Sequence, residues 1–160
     1  ITDLLVYAPV CPVETATHPF GCQYNVDQSL LTGVSLGAST RLGRFTVRGS
    51  LDVQDPRDET TDQRLARRAK QHGSIGIEYG AHAVNAGAEL VFSGARYDAF
   101  APLPRFGGSG VLNLHASYDF APNWSVFGRW NNVTDKNYEL ARNFATPGSN
   151  LFVGVRYGMK

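Results

Sequence analysis

Apolar and polar side chains alternate along much of this chain with the period of a β-strand. Between residues 111 and 120, every second residue is apolar or aromatic and shares one face, while the residues between them are polar. Residues 44–54 and 151–159 repeat this pattern. Weaker copies occur near residues 1–8, 29–39, 74–79, 83–95 and 124–133. The sequence therefore predicts an all-β fold of eight up-and-down strands without helices.

The connections between these strands alternate between short and long. Short turns are predicted near residues 41–43, 80–82 and 121–123, and long loops near 9–26, 55–66, 97–108 and 134–148. Successive connections in an antiparallel sheet lie at opposite ends, so all short turns fall at one end and all long loops at the other. Outer-membrane barrels show this asymmetry, with short periplasmic turns and longer extracellular loops.

Alternation alone does not say which face meets water, because a soluble β-sandwich turns its apolar faces inward. Three features favour a transmembrane antiparallel β-barrel whose apolar face meets lipid. Several strands are predicted to be longer than those of typical soluble sheets. Glycine recurs on the polar face, and aromatic residues gather near the predicted strand ends, as in membrane-interface belts. The charged residues of the polar face are then expected to line a hydrated interior: Arg48, Asp52, Glu78, Glu89, Asp119, Arg129 and Arg156.

Composition narrows the function classes. The formal net charge is +1, and the basic residues have no interleaved aromatic platform, so nucleic acid is not an expected partner. The serines, histidines and carboxylates fall in no order that indicates a catalytic triad, and residues 107–110 lack the Lys-Ser/Thr of a phosphate loop. The four histidines have no spacing suited to a metal site: His18, His72, His82 and His115. We therefore expect neither an enzyme nor a metal centre.

Two cysteines, Cys11 and Cys22, lie close together in a polar segment that contains proline and glycine. A bridge between them contributes about 3 kcal/mol in the chain-entropy model and persists only in an oxidising compartment. Two unrelated free thiols are the alternative. We predict the bridge.

Three segments resemble a known family. Residues 129–139, RWNNVTDKNYE, resemble the R-x-x-N-L-F-D-K-x-Y-E segment near the end of TonB-dependent outer-membrane receptors. Residues 65–70, LARRAK, and residues 94–98, GARYD, are similar to L-x-R-R-A-K and G-x-R-Y-D in the cobalamin (vitamin B12) branch of that family.

The resemblance implies a larger protein. Such receptors have about 22 strands around an N-terminal plug domain, preceded by a short TonB-contacting segment, and nothing in this sequence resembles either part. The chain begins with Ile1, and we expect it to be the last eight strands of a longer barrel. The implied function is TonB-dependent uptake of cobalamin or another large nutrient ligand across the outer membrane of a Gram-negative bacterium. TonB would act only through the missing N-terminal part. Calcium is implied for earlier barrel loops, so no cofactor is expected in this chain.

The sequence departs from the family pattern at three places. Residues 133 and 134 are Val-Thr in place of Leu-Phe. Ser149 stands where members often carry arginine, so any role of that arginine is absent. The chain ends on residues 157–160, YGMK, in place of a terminal aromatic residue.

By their position in the motifs, a small group of outer-loop residues are the expected ligand contacts: Tyr97, Phe106, Tyr138, Phe144 and Thr146. Packing between loops is the alternative role for them. A siderophore or haem receptor shares the terminal motif and remains open, as do a structural or adhesive barrel and a soluble β-sandwich.

Charged residues cluster in the predicted loop that begins at residue 55. Its acidic residues could hold calcium, but a solvated loop is favoured: Asp55, Asp58, Glu59 and Asp62. A basic stretch follows, which either meets lipopolysaccharide phosphates or forms a charge-balanced rim: Arg64, Arg67, Arg68 and Lys70.

Overall fold

The structure, a computed structural model, describes residues 2–8, 22–98 and 105–158. Within these ranges, eight long strands form one antiparallel sheet. They are β1 (Thr2–Ala8), β2 (Cys22–Leu42), β3 (Phe45–Asp58), β4 (Gln71–Ala81), β5 (Val84–Ser93), β8 (Ser109–Ala121), β9 (Trp124–Asn131) and β12 (Asn150–Tyr157). Each strand is hydrogen-bonded to the next in this order. The eight predicted strands and their antiparallel order are confirmed.

Four short strands lie in the long loops. They form two small hairpins, β6 (Arg96–Tyr97) with β7 (Arg105–Phe106), and β10 (Glu139–Ala141) with β11 (Phe144–Ala145). Sequence patterning does not reveal strands this short. No helix in the described ranges is long and apolar enough to cross a membrane.

Strands β2 and β3 extend further than their alternation predicts. They remain paired as far as Ser29 opposite Asp58, whereas the pairing of β3 with β4 ends at Val53 opposite Gln71. The predicted loop at 55–66 therefore begins as a two-stranded extension beyond the apolar part of the wall. Backbone pairing between β2 and β3 supports this extension where side-chain alternation has ended.

Two-residue turns join the strands at one end of the sheet. They are Gly43–Arg44, His82–Ala83 and Pro122–Asn123, between paired residues such as Leu42 and Phe45. Gly43 has φ +62°, a conformation that glycine adopts without a Cβ clash. For the connections after β2, the predicted separation of short turns from long loops is confirmed, while the predicted loop near 9–26 lies largely outside the described residues and its last part, residues 22–26, belongs to β2.

The apolar residues of neighbouring strands lie opposite each other on one face. Leu36 pairs with Leu51, Ile75 with Leu90, and Val155 with Val126. These side chains are not packed in a core, because Leu36, Ile75 and Val155 are 64%, 53% and 60% exposed. A continuous exposed apolar face of this kind is a membrane surface and not the inside of a soluble sandwich.

Aromatic rings gather on this face beside the short turns. Ring centroids lie 5.1 Å apart between Phe45 and Tyr79, and 4.7 Å apart between Trp124 and Tyr157. Phe120 stacks on Trp124 at 6.4 Å. This is the aromatic girdle expected at a membrane interface.

The sheet is open within the described residues. β1 pairs only with residues 22–28 of β2, so residues 29–42 have a partner on the β3 side alone, and no pairing joins β1 to β12 there. The fold is therefore a partial barrel wall. Unpaired edges of this length favour pairing with further strands.

Buried side chains are few in the described ranges. Leu65 and Ala69 are buried at the loop end of β3, where the Leu65 N–H donates to the Pro56 carbonyl at 3.1 Å. This small cluster includes the apolar positions of the L-x-R-R-A-K resemblance and anchors the loop that follows β3.

Candidate functional site

Three long connections meet at the end of the sheet opposite the short turns. We call them the outer loops: residues 59–70 between β3 and β4, the described residues 94–98 and 105–108 between β5 and β8, and residues 132–149 between β9 and β12. A cavity of about 510 Å³ lies between the polar face of the wall and the second and third loops, and Arg96, Asn113, Asn131 and Tyr138 are among the residues that line it.

Asn132 locks the start of the third outer loop. It is 3% exposed and has φ +50°. Its Oδ1 accepts the Lys136 N–H at 2.8 Å, and its Nδ2 donates to the carbonyls of Lys136 and Pro147 at 3.0 and 3.4 Å. The side chain closes the turn from both sides, so the asparagine of the terminal motif has a structural role here.

Asp135 joins the two ends of the same loop. Its Oδ1 accepts the Ser149 N–H at 2.8 Å, and the Ser149 hydroxyl accepts the Trp130 Nε1–H at 2.8 Å. Ser149 therefore makes short polar contacts at the position where family members often carry arginine.

The predicted ligand-binding residues lie on the outer loops, in two groups. Tyr138 lines the cavity, and the Thr146 hydroxyl donates to the Tyr138 carbonyl at 2.6 Å. Tyr97 and Phe106 belong to the β6–β7 hairpin. Phe144, on β11, is 71% exposed and buries little of its ring. The fold brings Tyr138 and Thr146 together, and ligand contact by any of the five residues stays a prediction.

Sequence reasoning missed the amide residues of the cavity. Asn113 accepts the Asn132 N–H at 3.0 Å, and Asn131 donates to Asn150 at 2.9 Å. The available signal was their position, because both lie on the polar face at the loop end of their strands.

Asp98 connects all three outer loops. Its side chain is 13% exposed, and its Oδ1 accepts the Arg67 Nε–H of the first loop at 2.9 Å. Its Oδ2 accepts the Arg142 N–H of the third loop at 3.2 Å. One carboxylate of the second loop is therefore bonded to both of the other loops.

Two backbone carbonyls, of Tyr97 in the second loop and Glu139 in the third, accept further hydrogen bonds between the loops. The Arg67 N–H donates to the Tyr97 carbonyl at 2.6 Å, and Arg96 Nη2 donates to the Glu139 carbonyl at 2.9 Å. The second loop thus contacts each neighbour twice.

Basic partners hold two of the acidic residues near the first outer loop. Asp55 lies 2.7 Å from Arg57 and 3.1 Å from Lys70, and Asp62 lies 2.7 Å from Arg57. Hydrogen bonds from Arg57 and Lys70 lower the pKa of Asp55. These ion pairs support the interpretation of this segment as a solvated, charge-paired loop.

Asp58 is a buried carboxylate just beyond the apolar part of the wall. Burial by itself would raise its pKa, but hydrogen bonds from the Thr61 hydroxyl at 2.7 Å and the Thr60 N–H at 2.8 Å outweigh it, and the pKa is lowered. The carboxylate closes a local turn with these two threonines.

Two residues of the basic stretch form ion pairs with carboxylates. Arg67 pairs with Asp98 and Lys70 pairs with Asp55. These pairs favour a charge-balanced rim for Arg67 and Lys70, while lipopolysaccharide contact by Arg64 and Arg68 stays a prediction.

Two histidines of the polar face pair with carboxylates. His115 Nε2 lies 2.9 Å from Glu78 Oε2, and His72 Nε2 lies 3.4 Å from Asp52 Oδ2. Asp52 also accepts a hydrogen bond from Ser35. In the described residues no three such side chains converge on a metal-binding point.

Only one cysteine of the predicted disulfide lies within the described residues. Cys22 begins β2 and is half-buried, whereas Cys11 lies outside the described residues. The Cys11–Cys22 bridge stays a prediction.

Comparison with known proteins identifies the family. The family described as TonB dependent receptor-like, beta-barrel, matches residues 1–133. The chain belongs to this family. It is therefore part of an outer-membrane barrel of the Gram-negative type, in a family of receptors and transporters and not of enzymes.

The names of individual relatives refer to different ligands. The vitamin B12 transporter BtuB of Photobacterium profundum is 29% identical over 159 residues, covering 98% of this chain and 26% of that protein. The copper transporter OprC shares 19% identity with a TM-score of 0.78, over 98% of this chain and 26% of its own. The siderophore receptor PiuA from Acinetobacter baumannii shares 18% identity with a TM-score of 0.71, over 81% of this chain and 22% of its own. The two solved structures establish the fold, and this chain spans about a quarter of each relative.

Proposed function

We propose that this chain is the C-terminal eight-stranded part of the barrel of a TonB-dependent receptor that takes up cobalamin. The resemblance to a vitamin B12 transporter along 98% of the chain carries the choice of ligand. The two similarities to the cobalamin branch, at residues 65–70 and 94–98, agree with it.

The architecture supports a wall of a larger barrel. The sheet has an apolar outer face, a charged inner face and two open edges. In a barrel of about 22 strands both edges pair with further strands, and the charged face lines the interior. A plug and a TonB-contacting segment would come from the N-terminal part of the whole receptor, so the chain is not expected to transport alone.

The outer loops supply the surface that this function needs. Tyr138 at the cavity, together with Tyr97, Phe106, Phe144 and Thr146 on neighbouring hairpins, offers aromatic and hydroxyl contacts to a large ligand. Aromatic side chains bury much area at little cost in side-chain entropy.

A siderophore or haem receptor is the second candidate, because the terminal motif at residues 129–139 occurs across the family. Only direct binding separates the two.

The test uses the purified full-length receptor in detergent. Equilibrium titrations compare cyanocobalamin, a ferric siderophore and haem, and we expect cyanocobalamin alone to bind. Tyr138→Ala should weaken binding about tenfold, since a buried aromatic contact contributes on the order of 1–2 kcal/mol. Tyr118→Ala, on the lipid-facing side at 50% exposure, is the matched control and should bind as the wild type does.

The outcomes test the ligand, the uptake function and the outer-loop site separately. Binding of the siderophore or haem alone would replace cobalamin and keep the receptor. Binding of none of the three would remove the uptake function, and equal losses in both tyrosine variants would remove the assignment of the outer-loop site.

A further inference from the structure

The contacts of Asp98 reach further than its own loop. This carboxylate is 13% exposed and ends the G-x-R-Y-D segment, directly after Tyr97. One oxygen accepts from Arg67 in the first outer loop and the other from the Arg142 backbone in the third. A carboxylate with both oxygens engaged by different loops links them more strongly than a neutral acceptor would, because charge-assisted hydrogen bonds are shorter and stronger.

Two further hydrogen bonds run parallel to these. The Arg67 N–H donates to the Tyr97 carbonyl, and Arg96 Nη2 donates to the Glu139 carbonyl. Residues 96–98 thus hold the first loop on one side and the third loop on the other. Arg67 has φ +58°, an unfavourable region for a residue with a Cβ, and these contacts hold it there.

The linked segments carry the candidate ligand residues. Tyr97 lies between Arg96 and Asp98, while Tyr138 and Phe144 flank the third-loop contacts at Glu139 and Arg142. Loops that are not tied to each other sample many conformations, and only the fraction arranged correctly can accept a ligand.

We propose that Asp98 is a positioning residue that latches the three outer loops into one unit before ligand arrives. The latch consists of Asp98 with Arg67 and the Arg142 backbone. It rests on the proposed function for its purpose, and its existence is testable without any ligand.

The ligand-free test is hydrogen exchange in the full-length receptor. Asp98→Ala should raise amide exchange in residues 138–146 and 64–70 by about fivefold or more, since the loops then open independently. Asp98→Asn keeps an acceptor oxygen without the charge and should give an intermediate increase. Asp62→Ala is the matched control, because Asp62 pairs with Arg57 at the same 2.7–2.9 Å range but outside the second and third loops. It should leave residues 138–146 unchanged.

The functional test is the rate of cyanocobalamin binding by stopped flow. The latch alters the fraction of binding-competent loops, so Asp98→Ala should slow association in proportion to the fall in that fraction and leave dissociation unchanged. A side chain that simply touched the ligand would instead speed dissociation.

Hydrogen exchange and the association rate test different parts of the proposal. Unchanged exchange in residues 138–146 overturns the latch whatever the ligand proves to be, as does an equal increase in Asp62→Ala. Raised exchange with an unchanged association rate overturns the positioning role. Raised exchange in a receptor that binds no cyanocobalamin supports the latch and contradicts the proposed ligand.

Discussion

Glu78 and His115 are hydrogen-bonded at 2.9 Å although their strands, β4 and β8, are not neighbours in the sheet. Strand β5 lies between them, and Gly87 occupies the row that joins the two residues. A Cβ at Gly87 would lie 2.5 Å from Glu78 Oε2 and 2.6 Å from His115 Cε1. The missing side chain of one strand therefore lets its two neighbours pair across the polar face.

This relationship predicts the effect of Gly87→Ala. The new methyl group should displace the pair and destabilise the receptor by up to about 1 kcal/mol, the range of partly exposed ion pairs. The free energy of unfolding in urea measures it. Gly76→Ala, whose Cβ would have only an ordinary 3.6 Å contact, is the control. In a His115→Ala background the cost of Gly87→Ala should shrink, and an undiminished cost would mean that it acts elsewhere.

The two faces of the wall should react differently with a water-soluble thiol reagent. Single cysteines are introduced into a receptor that also carries Cys11→Ser and Cys22→Ser. We expect labelling at Arg48→Cys and Glu89→Cys on the polar face, and protection at Val47→Cys and Leu51→Cys on the lipid side. Protection of all four in the membrane-embedded protein would contradict a hydrated interior.

Asn132 should be the most sensitive residue of the terminal motif. Asn132→Ala leaves the Lys136 N–H and the Pro147 carbonyl without their partner and retains an unfavourable φ, so local opening should become about 2 kcal/mol easier. The exchange rate of the Lys136 amide reports this as an increase of about thirtyfold.

Two comparisons isolate the cause. Asn132→Gly tolerates φ +50° and should still open more easily, because the side-chain hydrogen bonds are gone. Asn131→Ala loses one bond to Asn150 and should change Lys136 exchange little. If the glycine variant exchanges like the wild type, the hydrogen bonds of Asn132 do not hold the loop.

The first outer loop should lose stability in acid through Asp58. Its pKa in the folded protein is lowered from the ordinary 3.8, so the ionised carboxylate stabilises the loop at neutral pH. That stabilisation is lost as the pH falls below 3.8 and through the folded value. Hydrogen exchange of the Thr60 and Thr61 amides, corrected for its intrinsic pH dependence, should rise in this window.

Asp58→Asn should remove most of that pH dependence. Asp55 also has a lowered pKa through Arg57 and Lys70, so Asp55→Asn is the necessary comparison. If the pH dependence disappears in Asp55→Asn and persists in Asp58→Asn, the carboxylate responsible is Asp55 and the prediction for Asp58 is wrong.

The two cysteines should be bridged in the mature receptor. Alkylation before reduction should leave both thiols unmodified, and alkylation after reduction should add two groups, as mass spectrometry of the digested protein shows. Cys11→Ser should expose Cys22 to the reagent. Modification of both cysteines without reductant would exclude the bridge.

The sequence by itself determined the wall of this protein. Alternation at residues 44–54, 111–120 and 151–159 sets which side chain lies on which face, because the pleat of a strand has a period of two. The positions of the short turns then determined which end of the sheet carries the turns and which end carries the long loops. The terminal motif indicated the family.

Only the tertiary structure decided how the outer loops are joined. The contacts of Asp98 connect residues 31 and 44 positions apart, and Glu78 reaches His115 across 37 positions. Loop residues have no period that would reveal their partners, so neither the latch nor the lengthened β2 and β3 could be predicted. Their partners are set by the strand register, which brings distant chain segments to the same end of the wall.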